Sequence, residues 1–250
     1  MNISTYSKKE IRSMIDEKRT EAVSGSTVRM LFVPNHVNEE NFDEFLSTYS
    51  QICGQEYDSV IVIESHTQQL DKKLSMPSNL IFKTKLGEIT VNDKLRNEFC
   101  DEEDDFFIAD EGYSKKMSLY DQLPFLQSCL DEFEILSLQI GGYDPAIVRE
   151  LAFTIDELML NRNSLIVFCC DIPAGKPAEL ETLRDLVINK NDTGLLHYLN
   201  SNDKNVKGAR TFMTGILVAR AWDLNVEFKD DVAEKSNITG FARLQQQVAV

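Results

Sequence analysis

The stretch Ser59 to Thr67, SVIVIESHT, limits what this chain can fold into more than any other. Val60 to Ile63 is an unbroken run of β-branched residues. A strand covered on one face alternates apolar and polar residues. An unbroken apolar run suits a strand buried on both faces of a parallel sheet. Ser164 to Cys170, SLIVFCC, is a second run of this kind. Both runs end in polar residues: Glu64, Ser65 and His66 after the first, Asp171 after the second. In open α/β sheets ligands bind beyond the carboxyl ends of the strands. His66 and Asp171 therefore stand where chemistry is expected.

The rest of the chain supplies the partners of these strands. Val28 to Val33 reads as the first core strand, stopped by Pro34, with Asn35 and His36 in the loop at its end. Helical spacing of apolar residues predicts helices over Lys8 to Lys18, with Ser7 as N-cap, and over Glu40 to Cys53. Asn79 to Thr84 reads as a strand, at an edge, and Asn92 to Cys100 as a helix. Met117 to Leu130 is helical, with a break expected near Pro124. Phe133 to Ile140 alternates and reads as a strand. Helices are predicted over Asp144 to Leu160, Pro177 to Asn189, Thr193 to Leu199 and Val206 to Trp222. Asn225 to Phe228 and Asn237 to Leu244 read as closing strands. Alternation of this kind over residues 1–250 predicts a single α/β domain with a mainly parallel central sheet flanked by helices.

Charge narrows the partners. The formal net charge is −15, a field that repels nucleic-acid backbones and anionic membrane surfaces. A protein partner or a small anionic ligand is expected instead, with no nucleic acid and no membrane. The N-terminal MNISTYSKKEIRSMIDEKR lacks an apolar core segment, so a cytoplasmic location is expected. Five scattered cysteines form no disulfide framework; Cys169 and Cys170, inside an apolar run, read as structural thiols. The acidic run Asp101 to Asp105 reads as a solvated loop without the spaced ligands of a calcium site.

Several stretches together resemble the Memo family, known as protein B of the AmmeMemoRadiSam system. They are Val33-Pro34-Asn35-His36, Ile63-Glu64-Ser65-His66, Met117-Ser118-Leu119-Tyr120-Asp121-Gln122-Leu123-Pro124-Phe125, Cys169-Cys170-Asp171, Lys207-Gly208 and Ile238-Thr239-Gly240-Phe241-Ala242. The resemblance implies a fold similar to that of the class III extradiol (LigB-like) dioxygenases. It also implies a metal site of two histidines and a cysteine. Those positions fall here on Asn35, His66 and Lys207. Three further polar positions of the family pocket fall on Met117, Tyr120 and Ala174, while Asp171 is kept. An asparagine is a poor ligand for a transition metal, and a lysine cation repels one. A member with its metal site degenerate is expected: a binding or regulatory component with no cofactor, its pocket formed by Asn35, His66, Met117, Tyr120, Gln122, Asp171, Lys207 and Arg210.

Other readings stay open. His66 and Asp171 are the candidate catalytic residues of an acid–base enzyme, and equally a hydrogen-bonded pocket histidine and a loop-binding carboxylate. His66, His36 and Asp171 are the candidate ligands if iron, copper or zinc is held in a rescued, oxidoreductase-like site. Lys207 and Arg210, at a predicted helix start, suit an anionic ligand such as a phosphopeptide. The family resemblance offers an AMMECR-like protein and a radical SAM protein as neighbours. His197 reads as a surface or packing residue.

Overall fold

Helices and strands alternate along the chain in the computed structural model, which describes residues 3–19, 27–102, 105–142, 144, 146–173, 177–200, 206–229 and 237–244. The strands are β1 (Val28–Val33), β2 (Ser59–Ser65), β3 (Leu74–Met76), β4 (Ile81–Thr84), β5 (Gly87–Thr90), β6 (Phe106–Ile108), β7 (Glu134–Ile140), β8 (Ser164–Cys169), β9 (Leu224–Phe228) and β10 (Gly240–Leu244). The helices are α1 (Lys8–Glu17), α2 (Phe42–Tyr49), α3 (Asp93–Glu102), α4 (Ser118–Cys129), α5 (Ala146–Met159), α6 (Pro177–Ile188), α7 (Asp192–Leu199) and α8 (Ala209–Ala221).

One sheet carries the strands in the order β6-β3-β7-β2-β8-β1-β10-β9. Its centre is parallel: β2 runs with β7 and with β8, and β8 runs with β1. The flanks turn antiparallel, β10 against β1 and β9 against β10 on one side, β3 against β7 on the other. This is the mainly parallel α/β architecture that the two apolar runs demand. Val60 to Ile63 and Leu165 to Cys169 have no exposed surface, because helices cover both faces. Helices α1, α2 and α4 pack together on one face, and α3, α5, α7 and α8 on the other.

The second helical layer lies close to the sheet at Gly215 of α8. A Cβ there would stand 2.5 Å from the Phe32 ring and 2.9 Å from the Phe168 ring, two rings that stack at 5.5 Å. On the opposite face Tyr49 and Phe125 stack at 5.0 Å beneath Phe45.

Several details differ from expectation. Helix α4 runs through Pro124 without stopping. Leu119, Leu123, Phe125 and Leu126 are fully buried along it, at roughly 1.5–3 kcal/mol each. That exceeds the cost of about 3 kcal/mol for a proline inside a helix. The Glu40 to Cys53 segment divides into α2 and a 3-10 turn, Ser50–Ile52. The Asn79 to Thr84 strand forms a hairpin, β4 with β5, apart from the main sheet. Asp101 and Glu102 are the last residues of α3, not loop, and Asp105 pairs with Lys73 at 2.9 Å. Residues 103 and 104 of that acidic run lie outside the described residues. The short strands β3 and β6 escape the pattern because three residues are too few to show a period.

Candidate functional site

The carboxyl ends of β1, β2 and β8 lie side by side, and the polar residues after them are joined by hydrogen bonds. The Cys170 amide donates to Val33 O at 2.7 Å, and the Asn35 amide donates to Asp171 Oδ1 at 2.8 Å. These bonds extend the β1–β8 pairing into the loops. The Asp171 carboxylate holds the Asn35 loop. Asp171 and Lys207 exchange backbone bonds, 2.7 Å from Asp171 N to Lys207 O and 3.2 Å in return. Lys207 therefore precedes α8 as a bridge residue instead of starting the helix. The turn into α8 needs Gly208: its φ is +83°, and a Cβ would stand 2.8 Å from Cys169 O. Arg210 follows in the first turn, half-buried, and the Lys207 side chain is exposed.

Strand β2 divides its terminal side chains between the two helical layers, as a period of two requires. Ser65 points to α8, its hydroxyl 2.7 Å from that of Thr211. Glu64 points to α4, and its Oε2 accepts the Ser118 amide at 2.9 Å. The Ser118 hydroxyl donates to Asn35 Oδ1 at 3.3 Å. Glu64 is buried, and among the described residues its Oε1 has no hydrogen-bond partner. Burial pushes the Glu64 carboxyl above its ordinary range, opposed by the hydrogen bonds of Ser118 and the Leu119 amide. Gln122, one turn into α4, is fully buried. It donates to Pro34 O at 3.1 Å and accepts from the Tyr49 hydroxyl at 2.8 Å. It clamps the loop after β1 and does not line an open cleft. Met117 is buried at the N-cap of α4. Half-buried Tyr120 meets the Phe82 ring edge-on at 6.2 Å.

The three histidines have different settings. His36 Nδ1 lies 2.8 Å from Asp121 Oδ2. That bond raises its pKa above 6.5, with burial opposing and Asp171 and Glu64 adding smaller attractions. His66 is half-buried, and its Nδ1 lies 3.1 Å from the Gln68 amide nitrogen, which donates to it, and 3.0 Å from Gln68 O. His197 is exposed on α7, as expected. Asn35, Gln122, Asp171 and Lys207 are thus brought into one network, with Met117 and Tyr120 at its α4 side. Glu64, Ser118 and Asp121 belong to the same network and lie outside the pocket expected from sequence. A glutamate inside the last turn of a doubly buried strand was the available signal for Glu64.

The Memo-like protein family model matches residues 4–229. The chain belongs to the Memo-like family. A MEMO1 family protein of Thermotoga neapolitana is 28% identical over 160 residues, which cover 60% of this chain and 56% of that protein. A MEMO1 family protein of Sulfurisphaera tokodaii is 22% identical over 199 residues, covering 74% of this chain and 70% of that protein. The chain thus spans little more than half the length of the Thermotoga relative. The crystal structure of an uncharacterized protein of Escherichia coli K12 has a similar fold, at a TM-score of 0.54 and 10% identity, covering 88% of this chain and 100% of that one.

In this Memo-like chain the positions that the resemblance links to a metal carry an amide, an imidazole and an ammonium group: Asn35, His66 and Lys207. Among the described residues no three or more His, Cys, Asp or Glu side chains are grouped to hold a metal ion. The alternative ligands are engaged elsewhere, His36 with Asp121, Asp171 with the Asn35 amide and His66 with its own loop. Ala174 lies outside the described residues. No helix among the described residues is long and apolar enough to cross a membrane.

Proposed function

We propose that this Memo-like protein is a non-catalytic binding or regulatory component, with its ligand cleft at the carboxyl ends of β1, β2 and β8. The observation that carries the reading is the donor set at the family's metal positions. Asn35 offers a weak neutral oxygen that already accepts from Ser118. Lys207 offers a cation, and its backbone is fixed to Asp171. Transition metals need several imidazole, thiolate or carboxylate donors around one point. These residues do not fit such a metal, so no step of chemistry is assigned to one.

The cleft would take its ligand through hydrogen bonds and charge. Asp171 and Glu64 hold its floor, and Lys207 and Arg210 give its α8 rim positive charge. A small anionic ligand or an acidic segment of a partner protein suits that rim. Titration calorimetry with a phosphorylated peptide and with inorganic phosphate tests the reading. Binding that weakens with salt and drops about two- to fivefold in Lys207→Ala supports it. Equal binding by wild type and Lys207→Ala would remove the rim from the account.

A further inference from the structure

Two cysteines meet at the opposite end of the molecule, where the strands begin. Cys53 follows the 3-10 turn Ser50–Ile52, and Cys129 is the last residue of α4. Both thiols point at one carbonyl oxygen, that of Tyr49, at 3.6 Å for Cys53 and 3.4 Å for Cys129. Two sulfurs converging on one acceptor from separate helices are placed to react with each other.

Their surroundings distinguish the two. Arg12 of α1 donates from Nη1 to Ser128 O at 3.3 Å and to Cys129 O at 3.1 Å. This anchors its guanidinium at the carboxyl end of α4, where Cys129 lies, while its Nε pairs with Asp16 at 3.2 Å. Arg19 lies next to Gly54, 3.6 Å from where a side chain on that glycine would start. The neighbouring Cys129 thiol, Arg12 and Arg19 all lower the Cys53 pKa, against burial and Asp16. Burial and the Cys53 sulfur push the Cys129 thiol well up. A thiol eased toward ionisation beside one held protonated, near guanidinium groups, is the arrangement of reactive cysteine pairs. Cys129 lines a groove of about 1670 Å³ that also takes in Arg12, Tyr57 and Asn163. Both thiols are buried, and the groove, lined also by Gly54, brings a small oxidant to the residue that follows Cys53. Cys169 and Cys170 are adjacent in sequence and fully buried, and their pKa values are raised first by burial and then by nearby carboxylates.

We propose that Cys53 and Cys129 form a peroxide-sensitive dithiol that closes to a disulfide. The Cys53 thiolate attacks one oxygen of hydrogen peroxide, breaking the O–O bond; it becomes a sulfenic acid and the other oxygen leaves as hydroxide. Cys129 sulfur then attacks the sulfenic sulfur, the S–S bond forms, and the hydroxyl leaves with the Cys129 proton as water. Two thiols lose two electrons, and one peroxide is reduced to two waters once the hydroxide takes up a proton.

The test is exposure of the full chain to hydrogen peroxide, then denaturation in a thiol-blocking reagent and peptide mass mapping. A Cys53–Cys129 cross-linked peptide, reversed by dithiothreitol, is expected. In Cys129→Ser the sulfenic acid should persist on Cys53 and be captured by dimedone. In Arg12→Gln, still folded by circular dichroism, Cys53 oxidation should slow by roughly threefold or more. A cross-link between any other cysteines, no cross-link in folded protein, or no dimedone adduct on Cys53 in Cys129→Ser would overturn the proposal.

Discussion

The Glu64 carboxylate accepts the Ser118 amide at 2.9 Å, so a residue of β2 supplies the cap that Met117 does not give α4. The first amides of a helix lack internal partners, and its N-terminus favours an anion. The same contact fixes α4 against the end of the central strand. Through Ser118 and Gln122 it also fixes the loop that carries Asn35.

This burial has a pH signature. The folded-state pKa of Glu64 is raised from 4.5, chiefly by desolvation. The folded protein therefore binds the proton more tightly than the unfolded chain. The contribution of Glu64 to stability falls as pH rises from about 4.5 through the raised value. Glu64→Gln keeps an acceptor for the Ser118 amide and cannot ionise. Urea denaturation across that range should show the variant gaining on the wild type as pH rises. A constant difference would mean that Glu64 titrates normally.

His36 should titrate above 6.5 because Asp121 accepts its proton. The stabilisation from this pair is present below the unfolded pKa and is lost as pH rises through the folded one. NMR titration of the ring should show the raised value, and Asp121→Asn should return it toward 6.5. An unchanged His36 titration in that variant would break the assignment.

The helix α8 rests on Gly215. Gly215→Ala would place a methyl 2.5 Å from the Phe32 ring. Phe32 and Phe168 are both buried and stacked, leaving little room to yield. Overpacking of this kind costs about 1–3 kcal/mol, read as a lower urea midpoint. A change under about 0.5 kcal/mol would show that the layer shifts freely.

The central sheet was legible because burial on both faces writes itself into Val60 to Ile63 and Leu165 to Phe168 as unbroken apolar runs. The placing of Glu64, Ser65 and Asp171 at the carboxyl ends of β2 and β8 was legible for the same reason, since polar residues that end such runs must lie at the strand ends. The wiring of the site was not. Glu64 pairs with Ser118, fifty-four positions away, and Asp121 pairs with His36 across eighty-five. No local period encodes a bond between two elements. Gln122 enters the expected pocket through the family-like stretch Gln122-Leu123-Pro124-Phe125. Its neighbours on α4 gave no sign that Tyr49 and the Pro34 carbonyl satisfy it in the core. The small strands and the Gly208 turn also depend on partners distant in sequence.

The metal content of the native protein tests the central claim most directly. The protein should be purified without an affinity tag or chelator, offered iron, copper and zinc in turn, and compared with His66→Ala. The account predicts well under one bound metal per chain in both, since Asn35, His66 and Lys207 do not form a donor set. About one metal per chain in the wild type, lost in His66→Ala, would contradict it and return this cleft to metal chemistry.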